Sequence, residues 1–410
     1  MNNTMPKSKS NLLIYLFLFF CFFPYIKIIP METDTQPYAM IIGIIVMLSY
    51  PFYQSYKDIR WLFILVILSI IIAIFSKLDF DTFRSLFNYL SIFVVPAATI
   101  SALTKCNGLS FKFYRSCIFI WLAVGIIQQF IYPEFGTQLL SRASFGGAAR
   151  GIVSLAPEPT FYAIICCLMA IIGFLNFRNE KQYMFLQILL LFQIVILARS
   201  SMVIIFGLAS FLTYLLIKAI KKRIINLFIF IFVAVIIYYG IILLLPYIQQ
   251  YRVGNLLAHL IRDPMLFMIV DESINERFIH AYFPTYAFFS DFGLPHGYGQ
   301  FADYMSHIHS EGEFSKYLVY YRDDYTRIQS GFGAIFFELG VFALIFIFVL
   351  IRNFRLLVKN NFSSLFWCIL FSVILLNAMP LGNGLVGFTL GNMIYIAHKH
   401  STIKNKARLC

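Results

Sequence analysis

Charge is scarce in this chain. Of 410 residues only 12% are Asp, Glu, Lys or Arg, where a soluble domain carries about 25%. Acids are scarcer than bases, 19 against 32, which leaves a net charge of +13. Cysteine is also sparse, with seven residues. Cys21, Cys117, Cys166, Cys167 and Cys368 lie in apolar runs, and Cys106 and Cys410 lie in short basic segments. None falls in a segment assigned to the outside, so a disulfide framework is excluded. Internal repeats and low-complexity tracts are missing as well, and the unmatched halves argue against a secondary transporter.

Apolar residues are what the chain has in abundance, at 60% of the total. That excess over the roughly 45–50% of a soluble domain does not fit inside a water-soluble core. A crossing needs about 20 mostly apolar residues, and twelve segments qualify. They are 11–30, 37–53, 60–76, 85–104, 113–132, 159–177, 183–198, 201–219, 224–246, 331–351, 362–379 and 382–397. Segment 85–104 is the most diluted, by Asn88, Pro96 and small residues. The expected fold is an all-α polytopic membrane protein with about twelve crossings. The basic start at Lys7 and Lys9 followed by an apolar run resembles a signal peptide. No small-residue cleavage site follows, so the run reads as a retained first crossing.

Charge orients this chain. With the N-terminus inside, every inner segment is basic, for example Lys57 and Arg60, Lys221 and Lys222, and Arg352 and Arg355. Asp58 and Glu180 are the only acids among them. This is the positive-inside pattern, with both ends cytoplasmic. The net charge is therefore an orientation signal and does not point to a nucleic-acid partner. Two external segments are long, 133–158 and 247–330, and function concentrates on such loops.

In the first loop Glu158 stands between two prolines at the entry to a crossing. It reads either as a helix cap or as a fixed carboxylate that accepts a proton. Arg142 and Arg150 are the loop's basic residues. Each fits a lipid phosphate or a substrate diphosphate, and Arg150 is the nearer in sequence to Glu158. Arg199 occupies a turn between two crossings that is too short to carry it far from hydrocarbon. In the second loop Ser273 and Glu276 have capping-box spacing, which predicts a helix starting at Ser273. Arg277 and His280 then share one face. The turn from Gly293 to Gly299, with His296 inside it, lets backbone approach a ligand closely but has no P-loop context. His307 and His309 have no third metal ligand in view, and Asp79 and Asp81 form only a short Asp-x-Asp.

The topology resembles the bacterial Wzy-type O-antigen and exopolysaccharide repeat-unit polymerases, relatives of the O-antigen ligases. Local likeness rests on Arg150 through Glu158-Pro159-Thr160-Phe161-Tyr162, on Ala198-Arg199-Ser200-Ser201, and on Arg277 followed by Gly297-x-Gly299. The resemblance implies glycan transfer between undecaprenyl-diphosphate-linked units at the periplasmic face of the inner membrane, without metal or other cofactor. Membrane lipid is an implied partner, and so is a chain-length regulator protein. It assigns Arg150, Arg199 and Arg277 to the diphosphate, with Arg142 and His296 as further substrate contacts. The base is Glu158 or His280, with Glu158 placed first. The alternatives are an O-antigen ligase and, from another class, a polysaccharide flippase or transporter.

Overall fold

Backbone in hydrocarbon must satisfy its hydrogen bonds within its own segment, and apolar runs of this length do so as helices. A computed structural model describes residues 10–29, 33, 35–76, 79–144, 151–222, 224–249, 252–263, 267–312, 314–321 and 327–406. It is all-helical, 76% helix, with no strand among the described residues. The order is α1 (Ser10–Phe22), α2 (Tyr38–Ser49), α3 (Lys57–Phe75), α4 (Phe80–Lys105), α5 (Phe111–Phe130), α6 (Pro159–Phe177), α7 (Tyr183–Phe192) and α8 (Ser201–Lys222). Then follow α9 (Ile224–Ile248), α10 (Arg252–Arg262), α11 (Glu272–Ser290), α12 (Phe301–Glu311), α13 (Gly331–Leu339), α14 (Ala343–Asn360), α15 (Ser364–Asn377) and α16 (Gly384–Lys406).

Among the described residues, six helices are long and apolar enough to cross a membrane. They are α3, α4, α5, α6, α8 through Lys221, and the joined pair α13–α14. Shorter apolar helices cover parts of α1, α2, α7, α9 and α15. The first apolar run, expected to span 11–30, is helical only to Phe22. Pro24 explains this, because a proline disfavours helical angles in the residue before it. α2 ends similarly, just before Pro51.

The segment that looked weakest in sequence is among the most enclosed. α4 buries Ser91 through Leu103 without a break. Glycines of α16 let that helix approach it closely. A Cβ on Gly387 would lie 2.8 Å from Val95, and one on Gly391 would lie 2.8 Å from Pro96. Small residues four apart allow such backbone approach between membrane helices. At the far end of the same layer, Asp58 of α3 is fully buried between Arg352 of α14, at 3.3 Å, and His398 of α16, at 2.7 Å.

The span expected at 331–351 is broken in the middle. α13 stops at Leu339, a single 3-10 turn follows, and α14 starts at Ala343. Gly340 has φ +54, and a Cβ there would meet the Gly293 carbonyl at 2.3 Å. Only glycine accepts both conditions. The glycine-rich turn thus docks into the break: Val341 donates to the Gly293 carbonyl at 2.7 Å and His296 N–H to the Phe337 carbonyl at 3.0 Å. Tyr298 reaches deeper, donating its hydroxyl to the Ser69 carbonyl at 2.9 Å. Ser69 lies about 10 Å inside the end of α3, given the helical rise.

The large loop is itself helical. α11 and α12 share a satellite core of Ile279, Phe283, Ala287, Phe301, Met305 and Ile308, joined by Phe337 of α13. α11 begins at Glu272, one residue before the expected Ser273, because Asp271 is the cap. Its carboxylate accepts from the Ile274 N–H at 3.3 Å. Aspartate caps as well as serine.

Candidate functional site

The entry to α6 is shaped by Pro159 in the first helical turn, with Glu158 at the cap position in extended backbone. The Glu158 side chain makes no capping hydrogen bond. It turns to Arg142, whose guanidinium donates at 3.0 Å. This pair, formed across 16 residues of loop, faces a cavity of about 90 Å³.

The cavity gathers polar groups from separate elements. Arg84, Ser85, Asn88 and Tyr89 come from the N-terminal part of α4, and Glu338 from α13. Arg327 comes from the end of the large loop, and Arg142 and Glu158 from the first loop. Tyr25, Phe161, Pro380 and Leu381 supply apolar and aromatic wall. Arg84 is held by Asp81 at 2.7 Å, one helical turn earlier. Asp79 caps α4 by accepting from the Thr82 N–H at 2.8 Å. The Asp-x-Asp pair is thereby used in starting the helix and holding an arginine.

Glu338 is the deepest charge-bearing group on the cavity, and its residue is 8% exposed. Two neutral hydroxyls serve its carboxylate: Ser85 donates at 3.0 Å and Tyr89 at 2.5 Å. Tyr89 in turn packs beside Tyr298, with ring centroids 5.8 Å apart. The docked glycine-rich turn therefore supports the cavity wall from behind.

Glu158 also borders a second, smaller space of about 30 Å³, lined by Arg199, Ser200, Ser201 and Ser273. The N-termini of α6 and α8 meet there, at Pro159 and Ser201. Such termini favour anions through their unpaired N–H groups. Arg199 is exposed and adopts φ +46, following a π-helical turn over Gln193–Leu197. Positive φ is uncommon for a non-glycine residue. Here it turns the chain sharply between α7 and α8.

Arg277 and His280 of α11 are buried, 4% and 1% exposed, and the His280 ring packs against Phe301 of α12 with centroids 5.6 Å apart. Neither lines the two spaces directly. Burial, with the Arg327 and Arg277 guanidinium groups beside it, pushes the His280 imidazole down to about 3. It is therefore neutral at pH 7 and adds no third positive charge behind Arg327. His296 is likewise apart from the cavity. It stacks on Phe337 at 4.3 Å and pairs with Asp291 at 2.7 Å. Arg150 lies outside the described residues.

Of the residues expected from sequence, the structure brings together Arg142, Glu158 and Arg199, and it sets Arg277 and His280 next to Arg327. Sequence patterns single out none of Arg84, Arg327 and Glu338. Arg84 had one signal, its spacing from Asp81 at a helix start. Arg327 had none, because a charge in a long polar loop looks like any other. Among the described residues no group of three His, Cys, Asp or Glu is arranged to hold a metal ion. No family model matches the chain, and no curated protein matches it in sequence.

Proposed function

We propose that the chain joins lipid-diphosphate-linked glycan units, as a repeat-unit polymerase acting at the outer face of a bacterial inner membrane. One observation carries this reading. Arg84, Arg142 and Arg327, from three distant parts of the chain, converge with two carboxylates on one cavity at one end of the bundle. Guanidinium groups suit a diphosphate leaving group, since their planar fork matches its oxygens. The adjoining N-termini of α6 and α8 extend that positive field around Glu158. Transfer also needs an acceptor hydroxyl activated by a base.

Glu158 is bonded to Arg142. Glu338, bonded to neutral hydroxyls alone, is the carboxylate this reading assigns as proton acceptor. Arg277 and His280 position Arg327 from behind. Twelve crossings with both ends cytoplasmic complete the reading. That topology puts Lys57, Lys221 and Arg352 inside and the cavity outside. Undecaprenyl-diphosphate glycans are then the substrates, and a ligase would differ only in its acceptor.

A transport reading draws on Glu338 as well. A buried acid beside a broken helix is a feature of transporters. A deletion strain separates the two. Polymerase loss leaves single repeat units on the outer leaflet, and transporter loss leaves them on the inner leaflet. Single substitutions Arg84→Gln, Arg142→Gln and Arg327→Gln in a strain making a surface glycan test the site. Long chains should vanish in each while the protein stays in the membrane. Persistence of long chains in all three would sink the assignment.

A further inference from the structure

A larger cavity, about 490 Å³, lies at the opposite end of the bundle. Its lining comes from the turn after α4, the end of α6, the α14–α15 junction and the last turns of α16. The candidate site is built instead on the starts of α4 and α6 and on α13, which precedes α14. The two spaces therefore sit at the two ends of the same helices.

The chemistry of this second cavity is distinct. Arg178 and Lys399 are its charged lining residues, and none of the described residues lining it is acidic. Both cations are exposed at the rim. Asn107, Asn176, Asn179, Asn360 and Asn361 add side-chain amides. Phe177 and Asn360 end α6 and α14. Carbonyls in the last turn of a helix have no partner within it, and the Phe177 carbonyl, which accepts from the Glu180 N–H at 2.9 Å, keeps one lone pair. Cations alone would call for a bare anion, and helix C-termini alone would repel one. Together they call for a ligand with both a phosphate and hydroxyl donors: phosphate for the cations, hydroxyls for the carbonyls and amide oxygens. Phe174, Leu357 and Ile396 give the cavity an apolar side.

We propose that this cavity binds a hydroxyl-bearing phosphate ester of the phosphoglycerol type. The phosphate is held by Arg178 and Lys399, and the glycerol hydroxyls are held by the asparagines. Two sources carry that chemistry: the headgroup of phosphatidylglycerol in the adjoining leaflet, or a soluble glycerol phosphate. The site does not depend on the polymerase reading, because it shares no residue with the other cavity.

Full-length protein purified from membranes containing phosphatidylglycerol and phosphatidylcholine provides the test. Native mass spectrometry should show phosphatidylglycerol retained over phosphatidylcholine. Arg178→Gln and Lys399→Gln should each lower retention by about tenfold or more, as loss of one charge-assisted hydrogen bond predicts. Because both side chains are exposed, the variants should keep the wild-type melting temperature. Displacement by soluble glycerol 1-phosphate would support the site and name the free ester as its source. Retention that resists glycerol 1-phosphate but needs the two cations would support it and name the lipid. Equal retention of both lipids with no binding of glycerol 1-phosphate, or retention unchanged in the double variant, would overturn the proposal.

Discussion

Two buried carboxylates, one at each end of the bundle, are served in opposite ways. Asp58 is fully enclosed and sits between the Arg352 guanidinium and the His398 imidazole, contributed by two other helices. Glu338 accepts from Ser85 and Tyr89, which are neutral, and it borders a cavity on which Arg84, Arg142 and Arg327 also open. The first arrangement is closed: it ties α3, α14 and α16 together and leaves no room for a ligand. The second keeps its acid and its arginines on a shared open space. A buried carboxylate is thus a clasp in one place and, on the reading proposed above, a reaction site in the other. What separates them is whether the groups meet each other or meet a cavity.

The largest expected effect breaks the comparison at the cavity. Glu338→Gln keeps the shape and both neighbours, so stability should move by less than about 1 kcal/mol. Glycan chain formation should fall by about 10²–10⁴-fold, the range for loss of a general base. A stability loss with proportionate activity would instead make Glu338 another clasp. Asp58→Asn should do the reverse. Removing the acid leaves Arg352 and His398 without it, and about 3 kcal/mol of stability should go, the lower end for breaking a buried pair because both partners are partly exposed. Remaining protein should still make long chains.

His280 sharpens the contrast through pH. Its ordinary value is 6.5 and the folded one is about 3. Between these values the unfolded chain binds the proton and the folded chain does not. Stability from this residue is therefore complete above 6.5 and lost as pH falls toward 3, with a slope of up to about 1.4 kcal/mol per unit. Melting temperatures of wild type and His280→Gln across that window should converge in acid. Parallel curves would mean that His280 takes no part in acid sensitivity. The smallest effect belongs to the Arg142–Glu158 pair. With side chains 45% and 29% exposed, it should contribute under about 1 kcal/mol to stability. Glu158→Gln should leave the melting temperature nearly unchanged, so any larger loss of product reports on the cavity.

The helices were largely legible in sequence, because apolar runs and their proline ends are local. Where the reading differed, a contact from far along the chain decided. Pro96 and its small neighbours looked like a weak crossing, yet Gly387 and Gly391 of α16 pack directly on Val95, Pro96 and Thr99 of α4. The break at Gly340 is set by the turn at Gly293, 47 positions earlier by subtraction. In the site, Glu158 and Arg199 drew notice through prolines and a tight turn. Arg84 and Arg327 did not, because their meaning comes from facing Glu338, and no spacing along the chain encodes that.

The most direct measurement uses purified full-length protein in liposomes carrying a fluorescent lipid-diphosphate repeat unit on the leaflet that the cavity faces. The account predicts a ladder of longer glycans from wild type, with the ladder lost in Glu338→Gln and Arg327→Gln. Movement of label across the bilayer with no ladder would contradict it.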